Sequence, residues 1–167
     1  TPMHIKDILQ QKIQSVHSIH KVRLNCLLNF GMSLAKHKRL TVSNLGRDLE
    51  NKKYTTKTAI RTADKLIGNK KLDEDRLFIY QSLSSYFVRN NDEPIIIIDW
   101  SDLNDMQDIW FLRATLATGG QGLTIYERVY NFSDYNNQKI HEKFLDELEI
   151  VLGKNIKPLR ITVARLK

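Results

Sequence analysis

Through the first ninety residues the apolar positions recur three and four apart, the spacing of a buried helix face. Residues 4–16 place Ile5, Ile8, Leu9, Ile13 and Val16 on one side, and residues 20–37 continue with Val22, Leu24, Leu27, Leu28 and Leu34. Thr41 is placed to cap a short helix over 41–49, and Asn51-Lys52-Lys53 is a polar turn. Thr55 or Thr56 caps the next helix, which runs to Ile67 and stops at Gly68. A further helix is expected over 73–89, with Leu77, Ile79, Tyr80, Leu83, Tyr86 and Phe87 facing inward.

Beyond residue 90 the period changes. Asn90-Asn91-Asp92-Glu93-Pro94 is a polar break, and a helix rarely continues into the residue before a proline. Ile95-Ile96-Ile97-Ile98 then reads as a strand buried on both faces and ending at Asp99. Strands follow over 109–118 and 123–130, joined by the turn Gly119-Gly120-Gln121-Gly122. Residues 138–152 are helical, with Ile140, Phe144, Leu145, Leu148 and Val151 on one side and Gly153 as the stop. A fourth strand is expected over 158–163. The order is a helical region over 1–91, then an antiparallel meander, a helix and a strand over 92–167, an α+β or α/β arrangement.

Charge sharpens this division. Lys and Arg number 26 against 19 Asp and Glu, a net +7. Between Lys36 and Lys71 stand eleven basic residues and three acids, so this segment carries +8 and the rest of the chain −1. The segment contains both short helices. On the second, Lys57, Arg61 and Lys65 recur every four residues, opposite Ala59, Ile60, Ala63 and Ile67. Such a row suits phosphates or base edges in a DNA groove, with Lys52, Lys53, Lys70 and Lys71 as flanking phosphate contacts. A solvated surface helix would carry the same charges. The regional imbalance favours nucleic acid.

Other chemistry is sparse. Asp99 follows four isoleucines, where a carboxylate is costly unless it is paired, hydrogen-bonded or metal-bound. Capping the turn Ser101-Asp102-Leu103 is its plainer role. Cys26 is the one cysteine, so no disulfide closes within the chain. It sits among leucines as a small buried residue, which suits a reducing cytosol. The five histidines are scattered, and no zinc spacing exists. Gly119-Gly120-Gln121-Gly122 lacks the lysine and hydroxyl residue of a phosphate loop. The longest apolar run is far short of a membrane span.

Several segments together resemble one family. They are Lys21-Val22-Arg23-Leu24, Leu40-Thr41-Val42-Ser43-Asn44-Leu45-Gly46-Arg47, Asp64-Lys65-Leu66-Ile67-Gly68-Asn69, Ile97-Ile98-Asp99-Trp100-Ser101-Asp102, Leu112-Arg113-Ala114 and Leu123-Thr124-Ile125-Tyr126-Glu127. In this order they resemble the cut-and-paste DDE transposases of the insertion-sequence-four family, its Tn-ten-type members most closely. The resemblance implies a helical region that binds the element's terminal inverted repeats as double-stranded DNA. It also implies an RNase H-like core in which two Asp and one Glu hold two magnesium ions for strand cleavage and transfer. Asp99 matches the first of these acids, as catalytic residue and metal ligand.

The pattern departs at the fourth strand, where Val163 stands in the place of the second acid and Arg165 and Leu166 follow. The third acid is missing. The tail is what a frameshift or a decayed gene would leave, so this is expected to be a truncated transposase that cannot cut DNA by itself. A catalytically inactive DNA-binding remnant that inhibits transposition is the alternative. An unrelated helical and β domain with a basic surface for RNA or another acidic partner is a third reading. The expected setting is a bacterial cytoplasm and its nucleoid, with no membrane, and with a homodimer or an intact transposase as partner. An incomplete sheet is also expected to leave apolar surface open at Phe111, Leu112 and the isoleucine run, which favours self-association.

Overall fold

A computed structural model describes residues 4–37, 41–49, 55–89, 94–153 and 160–163. The described residues form seven α-helices and a four-stranded sheet, an α+β arrangement. The helices are α1 (Ile5–Val16), α2 (Lys21–His37), α3 (Val42–Leu49), α4 (Thr56–Ile67), α5 (Lys70–Glu74), α6 (Arg76–Arg89) and α7 (Gln138–Leu152). The strands are β1 (Ile95–Asp102), β2 (Ile109–Thr118), β3 (Gln121–Asn131) and β4 (Arg160–Val163). No helix among the described residues is long and apolar enough to cross a membrane.

The chain divides into two compact units between Arg76 and Leu77, earlier than the change from helices to strands at 91/92. The reason lies in α6. Its Leu77, Tyr80 and Val88 pack into the core of the sheet, so this helix belongs to the β-containing unit.

In the first unit Phe30, Leu45, Ala63 and Leu66 form the buried centre, with Cys26, Leu27, Val42 and Leu72 packed against it. Cys26 is half-buried rather than enclosed, and burial pushes its thiol up, with Lys6 opposing. Leu66, not Ile67, turns inward at the end of α4. Val22 and Leu34 of α2 are exposed, as are Ile5, Ile8 and Val16 of α1. The single helix expected over 73–89 breaks at Asp75. There the backbone N–H closes α5 by donating to Lys71 O, 3.1 Å away. The buried Asp75 carboxylate lies 3.2 Å from His17 Nε2 and 3.0 Å from Arg23 Nε, so the break is tied to α2 and to the end of α1.

In the second unit β1, β2 and β3 form an antiparallel meander, and β4 runs parallel to β1, giving the order β3-β2-β1-β4. Gly119 and Gly120 take φ values of +42° and +89° between β2 and β3, a left-handed pair that suits the twist of a two-residue hairpin. The expected four-residue turn is therefore shorter, because β3 already begins at Gln121. One sheet face packs under α6 and α7: Ile96, Ile98, Trp100, Leu112, Ala114, Leu116 and Tyr126 meet Phe144, Leu148 and Val151. Trp100 Nε1 donates to His141 Nε2 at 2.7 Å. Glu147 of α7 accepts from Tyr126 Oη at 2.6 Å and pairs with Arg128. Burial works against the Arg128 charge, but Glu147 more than offsets it and holds the guanidinium above its ordinary value.

Three packing expectations fail here. Among the described residues β1 is covered on one face only, since its residues alternate and leave Ile95 at 45% and Ile97 at 38% exposure. Leu112 is fully buried and Phe111 nearly so, and of the residues expected to lie open only Ile95 and Ile97 do. The inner face of α6 carries Ser82, Ser84, Ser85 and Val88, while Leu83, Tyr86 and Phe87 point outward. Small side chains let the helix backbone approach β3 closely, and Ser84 Oγ donates to Ile125 O at 2.7 Å. Leu145 of α7 is likewise more exposed than its spacing implied.

Candidate nucleic-acid interface and carboxylate site

The basic helix α4 is positioned by its neighbour. Thr41 starts α3, its Oγ1 accepting from Asn44 N at 3.1 Å. Thr55 starts α4, its Oγ1 accepting from Thr58 N at 3.4 Å. Between the two helices Gly46 lies flat against Ile60. A Cβ at residue 46 would stand 2.7 Å from Ile60 Cα and 2.8 Å from Ile60 N, both backbone atoms. Only glycine permits so close an approach. Ala59 and Ala63 are completely buried on this side of α4.

The opposite side of α4 carries Lys57, Arg61 and Lys65, all exposed. None of the three makes an ion pair among the described residues. Other cations of this unit are engaged: Lys36 with Asp48 at 3.5 Å, Lys71 with Glu74 at 2.9 Å, and Arg23 with Asp75. Lys70 opens α5 and is exposed, whereas Lys71 beside it is partly neutralised by Glu74. Lys52 and Lys53 lie outside the described residues. The arrangement is a straight row of three uncompensated cations on a helix whose other side is locked to α3.

The carboxylate site lies in the second unit. Asp99 is the fifth residue of the eight in β1, not its last, because the strand continues to Asp102. It belongs to the uncovered face and pairs in register with Arg113, which pairs with Glu127 on β3. Arg113 Nε donates to Glu127 Oε2 at 3.0 Å, and the guanidinium lies 4.3 Å above the Phe111 ring. Asp99 Oδ1 is buried and has no hydrogen-bond partner among the described residues. Arg113 is thus spent on Glu127, and among the described residues no group pairs with Asp99 Oδ1.

The donors do not fit a two-metal centre. Two ions about 3.5–4 Å apart need several shared oxygen ligands. Asp99 and Glu127 stand two strands apart, roughly 10 Å by strand spacing. On the other side Ile98 pairs with Val163, and residues 154–167 contain no Asp, Glu, His or Cys to place beside Asp99. Among the described residues no group of three or more His, Cys, Asp or Glu could hold a metal ion.

Sequence reading named the cation row and Asp99 but gave Gly46, Arg113 and Glu127 no role. A glycine inside an eight-residue helix was a visible signal for a close crossing. Arg113 and Glu127 stand nearly equidistant from the Gly119-Gly120 hairpin, so counting outward from the turn would have paired them. Comparison of the chain with family models, with curated proteins and with solved structures found no match.

Proposed function

We propose that this chain binds double-stranded DNA through α4, and that it is the opening part of a transposase of the insertion-sequence-four type whose sheet unit does not cleave DNA. The observation that carries the reading is the row Lys57, Arg61 and Lys65, exposed and without ion-pair partners among the described residues, on a helix fixed by Gly46. A short helix pair with one basic outer face is the form of a major-groove reader. Each phosphate that a cation neutralises releases counterions, so binding must weaken as salt rises. An antiparallel meander, a helix and a parallel fourth strand support the RNase H-like part of the reading. That no group of three or more His, Cys, Asp or Glu among the described residues could hold a metal ion supports binding without cleavage. Occupancy of terminal inverted repeats, alone or paired with an intact transposase, would then compete with transposition.

The test is a mobility-shift titration of the full chain on duplex DNA, with magnesium, over a range of salt. A shifted band without nicks is expected. The triple variant Lys57→Ala, Arg61→Ala, Lys65→Ala should flatten the logarithmic salt dependence by roughly two to three. Unchanged affinity in that variant would remove α4 from the interface. Nicking by the wild-type chain would overturn the non-cleaving part.

A further inference from the structure

We infer that Arg61 reads a base edge at the floor of the major groove, guanine above all, while Lys57 and Lys65 grip phosphates on the two walls. This rests on the duplex-binding reading above. An α-helix rises about 1.5 Å per residue, so Lys57 and Lys65 stand about 12 Å apart with Arg61 about 6 Å from each. The major groove, about 12 Å wide, takes a helix lengthwise. Four residues turn the helix by about 400°, so with Arg61 toward the floor Lys57 and Lys65 lean about 40° to opposite sides, one toward each wall.

The chemistry of the three side chains matches these positions. A lysine ammonium is a compact point charge that meets a phosphate from many directions. Arginine offers a planar fork of five donors, which fits guanine O6 and N7 together. The hydroxyls beside it are already engaged: Thr62 Oγ1 donates to Thr58 O at 2.9 Å, and Thr58 Oγ1 shares a hydrogen bond with Thr55 Oγ1 at 3.1 Å. Asp64 stands three residues away and makes no ion pair with Arg61. The Arg61 fork therefore keeps all its donors for a ligand, on the one side of α4 that α3 does not cover.

Selection from a pool of duplexes with randomised centres, using the full chain, supplies the probe. The enriched duplex should contain a guanine whose replacement by 7-deazaguanine, which lacks the N7 acceptor, weakens wild-type binding about tenfold. Arg61→Ala and Arg61→Lys should each lose the preference for the selected over a scrambled duplex by about 10- to 100-fold. Arg61→Lys should keep the wild-type salt dependence, since its charge remains. Position 61 is exposed on a helix, and equal helicity of the variants by circular dichroism excludes unfolding. If both variants weaken selected and scrambled duplexes alike, Arg61 is a phosphate contact; the inference is overturned while duplex binding stands. A selected motif indifferent to 7-deazaguanine overturns it as well. If the wild-type chain shifts no duplex, the parent reading fails, and this one with it.

Discussion

Gly46→Ala is a substitution for which helix propensity and packing predict opposite signs. Inside a helix, alanine is more favourable than glycine by about 1 kcal/mol. The added Cβ, however, would sit 2.7 Å from Ile60 Cα and 2.8 Å from Ile60 N, against an ordinary carbon contact of about 3.5–4.0 Å. Neither atom can rotate away, so α3 and α4 must part by roughly 1 Å. Overpacking of this kind costs about 1–3 kcal/mol. The net expectation is a loss of up to about 2 kcal/mol in the helical unit. The sheet unit holds both tryptophans, so fluorescence does not report on this loss. Hydrogen exchange at the Ala59 and Ala63 amides does, and both should exchange faster in the variant, by up to about 30-fold. Gly31 is the control. It lies in α2 with nothing within 4 Å of an added Cβ, so Gly31→Ala should slow exchange or leave it unchanged. If Gly46→Ala also slows exchange at Ala59 and Ala63, the close crossing does not govern the stability of this helix pair and the argument fails.

Further expectations concern the sheet unit and the thiol. Asp99→Asn removes a charge whose Oδ1 is buried and has no partner among the described residues, so denaturation followed by tryptophan fluorescence should show unchanged stability or a gain of up to about 1 kcal/mol; a loss larger than that would reveal a paired carboxylate. Glu147→Ala strips the partner from Arg128 and Tyr126 and should cost about 3 kcal/mol by the same assay; a change below about 1 kcal/mol would mark the pair as solvated. His141→Ala leaves the buried Trp100 N–H without its acceptor at a cost of about 1–3 kcal/mol, and His141→Gln should recover part of it. Burial raises the Cys26 thiol, so less thiolate is present at neutral pH and maleimide labelling should run slower than for free cysteine. Labelling at the free-cysteine rate would contradict that burial.

Periodicity made most of the elements legible. The boundaries of α4 and α7 follow directly from Thr55, Gly68 and Gly153, where capping is a local matter. What it did not carry were facts about the third dimension. Four isoleucines announce a strand, but the number of faces covered depends on which helices return to it. Hydropathy placed Leu83, Tyr86 and Phe87 inward on α6, yet the helix approaches β3 on its serines because a close backbone contact needs small side chains. The cation row of α4 was visible from spacing alone. That those cations stay unpaired depends on where Asp48, Glu74 and Asp75 fold, which no local pattern states. Asp99 was recognisable as an oddity, but Arg113 comes beside it only through the β1–β2 register, and Glu127 beside Arg113 through the hairpin.

The reversed polarity of α6 bears on how the chain tolerates change. A scheme that improved solubility by hydropathy would spare Leu83, Tyr86 and Phe87 as core and recolour the serines as surface, and would fail on both counts. Bulky replacements at positions 82, 84 and 85 should wedge the helix off the sheet, whereas glutamate or lysine at 83 and 86 should fold normally. A saturation library over this helix would show a lane of intolerance through Leu77, Ser84, Ser85 and Val88, with Leu83, Tyr86 and Phe87 among the freest to vary.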